Sequence, residues 1–388
     1  MTAAAKDGGS GGSGGGAIEA PAELAPVRPG EHLDWVTLET YLRARLGELD
    51  DAPTLDGPMV VEQFPNGSAN LTYLLRFGAL ELVMRRPPFG VIAPGAHDMR
   101  REFRVLSKLW RHWDKAPRGY VFCDDHDVIG SDFVVMERRV GEVIRFVVPP
   151  SMVHHHNVGE RVSMALVDAM AEMHLLDPAS CGVGDLGRPD GFVGRQVSGW
   201  KQRWDLVRPD ADDPATSAEV AAAVPVMDDV YELLLGSIPP SQRASIVHND
   251  LKLDNCQFVA SDPDHVGAIF DWDMATLGDP LIDLGTLLGY WPDPADPPDS
   301  PRGAKPELGQ MGLPTRAEVT RRYVERTGFD AGPIAWHEAF AMWKTAVVVQ
   351  QLYRRWARGE STDERMSLLA DRIPNLAHSA RVSLRNAR

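Results

Sequence analysis

The chain has 388 residues, a length that fits about two or three compact units. It is 44% hydrophobic and 24% charged, with 40 Lys plus Arg against 55 Asp plus Glu and a formal net charge of −15. Those proportions exclude wholesale disorder, collagen-like repeats and a coiled coil, and the acidic balance argues against a dedicated nucleic-acid or anionic-membrane binder. A phosphate ligand carried by a divalent cation is compatible with them.

Residues 8–16 read GGSGGSGGG, and the Ala- and Pro-rich stretch after them continues to Gly30, so 1–30 is expected to be a disordered tail. Order is predicted to begin near Asp34, where Leu38, Tyr41, Leu42 and Leu46 recur at helical spacing. Three strand-like runs follow at 59–64, 71–77 and 80–84, the first two separated by the turn signal Pro65-Asn66-Gly67-Ser68. Met99, Phe103, Leu106 and Trp110 then share one helix face, and strand-like runs return at 120–123 and 133–136. From about Gly141 the texture changes to helical patterns at 158–176, 192–207 and 218–235, with strands only around 246–269. Residues 291–306 carry six prolines and three aspartates, which reads as a surface loop. Helices are expected to close the chain at 316–327, 334–358 and 363–384. The outline is α+β: a β-rich unit over 31–137 and a larger, mostly helical unit over 138–388.

Cys123, Cys181 and Cys256 lie 58 and 75 residues apart, with no CxxC pair, which suits a reducing, cytoplasmic setting. The first 30 residues lack the apolar core of a signal peptide, and no run of 18 apolar residues is present. No membrane association is expected.

The most informative stretch is His248-Asn249-Asp250-Leu251-Lys252-Leu253-Asp254-Asn255, which has the H-x-D-x-x-x-x-N spacing of a kinase catalytic loop. That chemistry needs a carboxylate to accept the proton of an attacking hydroxyl, and an amide oxygen five residues on to reach a metal ion. Sixteen residues after Asn255, the apolar strand Ala268-Ile269-Phe270 ends in Asp271, placed to deliver a metal-binding carboxylate. Upstream, Phe64 to Asn70 sits where a phosphate-covering loop belongs, with Gly67, Ser68 and Asn70 as its polar contacts. Strand alternation puts Val83 and Arg85 on one face, Val83 against a base and Arg85 against phosphates. Glu102, beside the apolar face of its helix, is placed to pair with Arg85. Met136 and Glu137 fall where composition shifts, the place for a hinge whose backbone groups hold an adenine.

With these residues the chain resembles the aminoglycoside phosphotransferase-like kinases, from about Leu33 to Ala377. The closer likeness is to the branch of kinase-like domains associated with acyl-CoA dehydrogenases. It rests on Asn70-Leu71-Thr72-Tyr73, Met84-Arg85-Arg86-Pro87-Pro88, the His248–Asn255 stretch, Asp271 through Pro280, and Arg321-Arg322-Tyr323. The resemblance implies a bilobal protein-kinase-like fold, ATP and Mg2+ as cofactors, Asp250 as catalytic base, and Asn255 and Asp271 as metal ligands, with Asp273 adding to the metal shell. Lys252 would steady the moving phosphoryl group. Asp279 and Asp283 read as structural, and His248 as an orienting residue. Where the branch has Gly-x-Ser-Asn in the phosphate loop, this chain has Gly67-Ser68-Ala69-Asn70.

The implied activity is transfer of a γ-phosphoryl group to a hydroxyl of a small molecule. A hydroxyacyl-CoA would suit basic and aromatic residues such as Lys201, Arg203 and Trp204, and a polycationic aminoglycoside would suit the acids Asp293, Asp296 and Asp299. A regulatory nucleotide-binding module with little transfer activity is the alternative of a different class. A protein kinase is disfavoured because Asp-Phe-Gly and Ala-Pro-Glu are missing. The chain shows no dehydrogenase motif, so coupling to fatty-acid chemistry would run through a separate acyl-CoA dehydrogenase. His154-His155-His156 cannot converge on one metal from a regular element and is not expected to be a metal site.

Overall fold

Alternating apolar residues along 71–77 and 80–86 give the first sheet one face to bury against a helix and another to roof a cleft. The computed structural model describes residues 23–65, 70–90, 97–145, 147–209, 216–296, 300, 310–361 and 363–386. Strands β1 (Met59–Gln63), β2 (Leu71–Phe77), β3 (Leu80–Arg86), β4 (Gly119–Cys123) and β5 (Phe133–Glu137) form an antiparallel sheet in the order β1-β2-β3-β5-β4. Tyr73, Leu75, Phe77, Leu82 and Met84 on its outer face meet Leu38, Leu42 and Leu46 of α1 (Trp35–Gly47). The Asp34 carboxylate accepts the Thr37 N–H at 3.0 Å and so caps α1. On the inner face Val83, Val134 and Met136 join α2 (Met99–Leu109), and the same apolar cluster runs on into Ile246, Leu251 and Trp272 of the larger lobe. One core therefore crosses the interlobe region.

Beyond the short α3 (His126–Ile129), the larger lobe holds α4 (Val158–Leu175), α5 (Phe192–Val207), α6 (Ala218–Leu235), α7 (Leu281–Tyr290), α8 (Arg316–Thr327), α9 (Ile334–Ala357) and α10 (Arg372–Asn386). Two small sheets carry its loops: β6 (Glu142–Val143) with β8 (Cys256–Phe258) and β9 (Val266–Ile269), and β7 (Ser245–Val247) with β10 (Thr276–Gly278). A second core of Trp204, Met227, Phe340, Trp343 and Leu376 locks α5, α6, α9 and α10 together. The fold is the expected bilobal α+β architecture.

Several details differ from the sequence reading, among them strands at Glu142–Val143 and Thr276–Gly278, outside the 246–269 stretch where the larger lobe's strands were expected. Residues 1–22 lie outside the described residues, but the last part of the expected tail pairs with the sheet. Ala25 and Gln63 exchange backbone bonds of 2.9 and 2.8 Å. The closing helix expected from 363 is split into a 3₁₀ turn, Glu364–Leu369, and α10. Pro374 explains the break, because its ring cannot donate to, or pass, the carbonyl four residues back. Among the described residues no helix is long and apolar enough to cross a membrane.

The approach of α7 to α9 depends on Gly285, where an added Cβ would lie 2.6 Å from the His337 Cβ and 2.7 Å from its carbonyl carbon. Replacing Gly285 by Ala is expected to cost about 1–3 kcal/mol by forcing the helices apart. A lowered urea midpoint with unchanged slope is the measurement that checks it.

Candidate active site

The loop after β7 is shaped by one buried carboxylate. Asp283, at the start of α7 and without solvent exposure, accepts the His248 N–H at 2.7 Å, the Asn249 N–H at 2.6 Å and the His174 Nε2 at 3.1 Å. Tyr323 on α8 is 2.7 Å from the other ring nitrogen of His174 and extends the chain of bonds. Burial works to raise the Asp283 pKa, but the bond and charge from His174, with His248, hold it below the usual carboxylate range. Asn249 adopts φ 68°, the left-handed region, and is held there by its Nδ2 donating to the Met274 carbonyl at 2.8 Å. His248 places its Nε2 2.8 Å from the Phe270 carbonyl, and the Asp250 N–H reaches its Nδ1 at 3.3 Å. It lies in the interior, tilted against Trp272 at 4.8 Å between ring centroids.

This scaffold brings Asp250, Lys252, Asn255 and Asp271 together. Lys252 Nζ donates to Asp250 Oδ2 at 2.5 Å, and Asn255 Nδ2 donates to the same oxygen at 3.2 Å and to the Asp250 carbonyl at 2.8 Å. The Phe270 N–H donates to the Asn255 carbonyl at 2.9 Å, which sets Asp271 beside the loop despite the sequence separation. Asp271 itself sits at φ 71°. Burial opposes the charge of Lys252, but the Asp250 carboxylate holds it more firmly protonated than an ordinary lysine.

Arg85 on β3 crosses the cleft. Its Nη2 donates to Asp271 Oδ1 at 2.6 Å, and its Nη1 to the fully buried Glu102 of α2. Burial works against the guanidinium, yet Glu102 and Asp271 together hold it protonated. Asp271 would be raised by burial, but Arg85 lowers it below the usual range. Asp273, short of such a partner and crowded by Asp271 and Glu102, is pushed up to about 8, by burial first. A divalent cation fits these donors. Asn255 engages only its nitrogen, which leaves Oδ1, and Asp271 gives Oδ1 to Arg85, which leaves Oδ2. Two oxygen ligands plus substrate phosphates is the arrangement magnesium favours over an all-protein cage. Among the described residues no group of three His, Cys, Asp or Glu makes such a cage.

On the nucleotide side, Val83 pairs with Met136 across β3 and β5 and lies partly buried in the core that roofs the cleft. The Glu137 N–H donates to the Arg118 carbonyl at 2.8 Å, and its carboxylate accepts the Arg118 N–H at 3.0 Å. An adenine at this hinge would therefore have to use neighbouring backbone groups. Gly67 and Ser68 lie outside the described residues. Asn70 is described: its side chain is 4% exposed, and neither Oδ1 nor Nδ2 finds a partner among the described residues. A buried amide in that condition suits a phosphate ligand.

On the acceptor side Trp204 takes the helix-core role that its i, i+4 spacing with Trp200 favours, and Lys201 is engaged elsewhere. Trp204 has no exposed surface and belongs to the second core, so it cannot stack on a substrate. Lys201 is engaged with Asp205 at 2.6 Å and lies 5.2 Å above the Tyr231 ring. The acids thought to suit a polycation are engaged as well: Asp296 binds Arg316 at 2.6 Å, and Asp293 accepts the Arg316 N–H at 2.8 Å. Asp299 lies outside the described residues. The His154 and His155 rings lie 4.2 Å apart and tilted, and His155 Nε2 bonds the Ser261 carbonyl at 2.8 Å. Besides the acids Asp271 and Asp273, basic and aromatic groups stand near Asp250. Lys252 lies 5.6 Å from the centroid of Tyr290, and the half-buried Arg372 shares that neighbourhood. Lys344, Trp200 and Arg203 lie behind the loop. Lys344 was missed in sequence, although a lone lysine amid the apolar residues of α9 is a signal that could have found it.

The model of the Phosphotransferase enzyme family, APH, matches residues 60–318. The chain belongs to this family. Among curated proteins, this APH family member is 30% identical over 363 residues to acyl-CoA dehydrogenase family member 11 of Rattus norvegicus, covering 92% of the chain and 44% of that protein. It is 28% identical over 342 residues to acyl-CoA dehydrogenase family member 10 of Mus musculus, covering 87% of the chain and 30% of that protein. The chain spans less than half the length of these relatives. Among solved structures, a Ralstonia eutropha chain described as a candidate aminoglycoside phosphotransferase superposes with a TM-score of 0.72 at 27% identity, covering 92% of this chain and 100% of that one. The aminoglycoside phosphotransferase APH(4)-Ia, solved with ADP and hygromycin B, shares the fold with a TM-score of 0.53 at 16% identity, over 88% of this chain and 98% of that one.

The depressed pKa of Asp283 has a consequence for acid stability. The unfolded carboxylate, near the ordinary value of about 3.9, takes up its proton more readily than the folded one. The stabilisation is therefore complete above that value and lost as pH falls through the lower folded pKa. Asp283→Asn is expected to cost about 1–3 kcal/mol at neutral pH. The gap to wild type should narrow towards pH 3, read by urea unfolding across pH.

Proposed function

We propose that this protein is an ATP- and magnesium-dependent phosphotransferase that moves a γ-phosphoryl group to a hydroxyl of a small molecule, of the hydroxyacyl-CoA type. The observation that carries the reading is the convergence of Asp250, Asn255 and Asp271 within one hydrogen-bonded loop system, in a chain of the APH family. Lys252 and Asn255 both bond Asp250 Oδ2, which leaves Oδ1 to accept the proton of the acceptor hydroxyl. The hydroxyl oxygen forms a bond to the γ-phosphorus as the β,γ-bridging bond breaks, and ADP leaves. Asn255 and Asp271 would hold magnesium, with Asp273 beside them; the ion supplies neutralisation of phosphate charge. Lys252 steadies the moving group, and Arg85, released in part from Asp271, grips phosphate oxygens. Gly67, Ser68 and Asn70 cover the phosphates, while Val83 and backbone groups neighbouring the Met136–Glu137 hinge hold the base.

Two observations support the acceptor class. Beside the acids Asp271 and Asp273, the setting of Asp250 includes Lys252, Tyr290 and Arg372, cationic and aromatic groups that suit an anionic, partly apolar substrate. Asp293 and Asp296, which an aminoglycoside would need, are engaged by Arg316. The names of the curated relatives point the same way, and a separate acyl-CoA dehydrogenase would act in the same reaction sequence.

Asp250→Ala is expected to lower turnover by about 10²–10⁴, the usual worth of a general base, with nucleotide binding nearly intact by calorimetry. Unchanged turnover would remove Asp250 from the role. Chelation should abolish ADP release and added magnesium restore it. A screen of hydroxyacyl-CoAs, aminoglycosides, choline-like alcohols and sugars tests the acceptor. Release with aminoglycosides alone would overturn the acyl-CoA reading, and release with none would leave a regulatory nucleotide-binding module.

A further inference from the structure

A lysine in the middle of a buried helix face needs a physical reason, because a methionine would fill the same space without carrying a charge out of water. Lys344 is such a residue: it lies on α9, is 9% exposed, and burial lowers its pKa below that of an ordinary lysine. Among the described residues it makes one hydrogen bond, from Nζ to the Asn249 carbonyl at 2.7 Å, and no ion pair with a carboxylate. Its ammonium also lies 5.5 Å from the centroid of Trp200 on α5, whose ring is covered by Arg203 at 4.6 Å.

Asn249 is the residue whose left-handed backbone aims Asp250. Three elements hold it: α7 through Asp283 on its N–H, the segment before β10 through the Met274 carbonyl on its side chain, and α9 through Lys344 on its carbonyl. The first two fix the residue on its N-terminal side. Among the described residues Lys344 alone donates to the carbonyl of the peptide that leads into Asp250, and without it that buried carbonyl loses its donor and the 249–250 peptide keeps only the longer bond from the Asp250 N–H to His248 Nδ1 at 3.3 Å.

We infer that Lys344 is a positioning residue for phosphoryl transfer: through the Asn249 carbonyl it sets the orientation of Asp250, and through Trp200 it ties that orientation to helix α5. The inference rests on the proposed transferase reading. Lys344 bonds the Asn249 carbonyl and not the side chain of Asp250, so its removal is expected to act on the chemical step and leave nucleotide binding alone.

The test compares wild type with Lys344→Met, which keeps the buried stem, and Lys344→Arg, which restores a donor. For the Met variant, kcat is expected to fall about 10- to 100-fold with the KM for ATP within twofold, and the Arg variant is expected to recover part of kcat. Amide hydrogen exchange of 248–252 is measured in parallel on all three proteins. It is expected to speed up in the Met variant while α7 and β7 keep their protection. A Met variant with wild-type kcat and wild-type exchange overturns the inference, as does a loss of kcat matched by a general rise in exchange across the lobe. If wild type turns over no acceptor, the transferase reading fails, and the exchange data still decide whether Lys344 holds the loop.

Discussion

Burying a carboxylate without water is costly unless its lone pairs are filled, and the larger lobe is organised around filling those of Asp283. Two backbone N–H groups from the His248–Asn249 turn and a ring nitrogen from His174 do so, with Tyr323 behind His174. Those bonds tie α4, α7 and α8 to the end of β7 in a single network. The consequence is kinematic. Once the turn is anchored to α7, Asp250 is projected from a firm base, and Lys252 and Asn255 both bond its side chain.

The two lobes meet through charge at the cleft. Arg85 stands between the buried Glu102 of its own lobe and Asp271 of the other. The arrangement holds Asp271 ionised, while Asp273, two residues on, lacks the same partner and is pushed up to about 8. Burial and crowding by Asp271 and Glu102 favour the protonated form of Asp273, and a divalent cation bound here would favour its charged form. The net charge of −15 is thus no obstacle to a phosphate ligand: the acids at the cleft are of use to a metal-bridged one, and others are engaged by arginines, as Asp296 is by Arg316.

Strand and helix positions were legible because burial here follows simple periods. The 71–77 and 80–86 strands and the 99–109 helix stand where alternation and helical spacing placed them. The His248–Asn255 motif was legible because the chemistry it is proposed to carry demands residue types at short, fixed separations. The acceptor side was not. Trp204 and Lys201 look like ligands when read as types, but one lies inside a helical core and the other is held by Asp205, facts that depend on which helix packs beside α5. Lys344 reaches the Asn249 carbonyl from 95 residues away, a contact no local pattern encodes.

The sequence by itself determined the two-lobed α+β class, the loop carrying Asp250 and Asn255, and the strand that ends in Asp271, since each follows from local periodicity or from spacing along one segment. Only the tertiary structure decided that Arg85 bridges Glu102 to Asp271, that Asp283 and Lys344 grip opposite sides of Asn249, and that Asp293 and Asp296 are engaged by Arg316. The physical reason is common to all three. Each depends on where a charged side chain comes to rest relative to partners brought close by packing, and the cost of burying charge makes the partner, not the residue type, the deciding quantity.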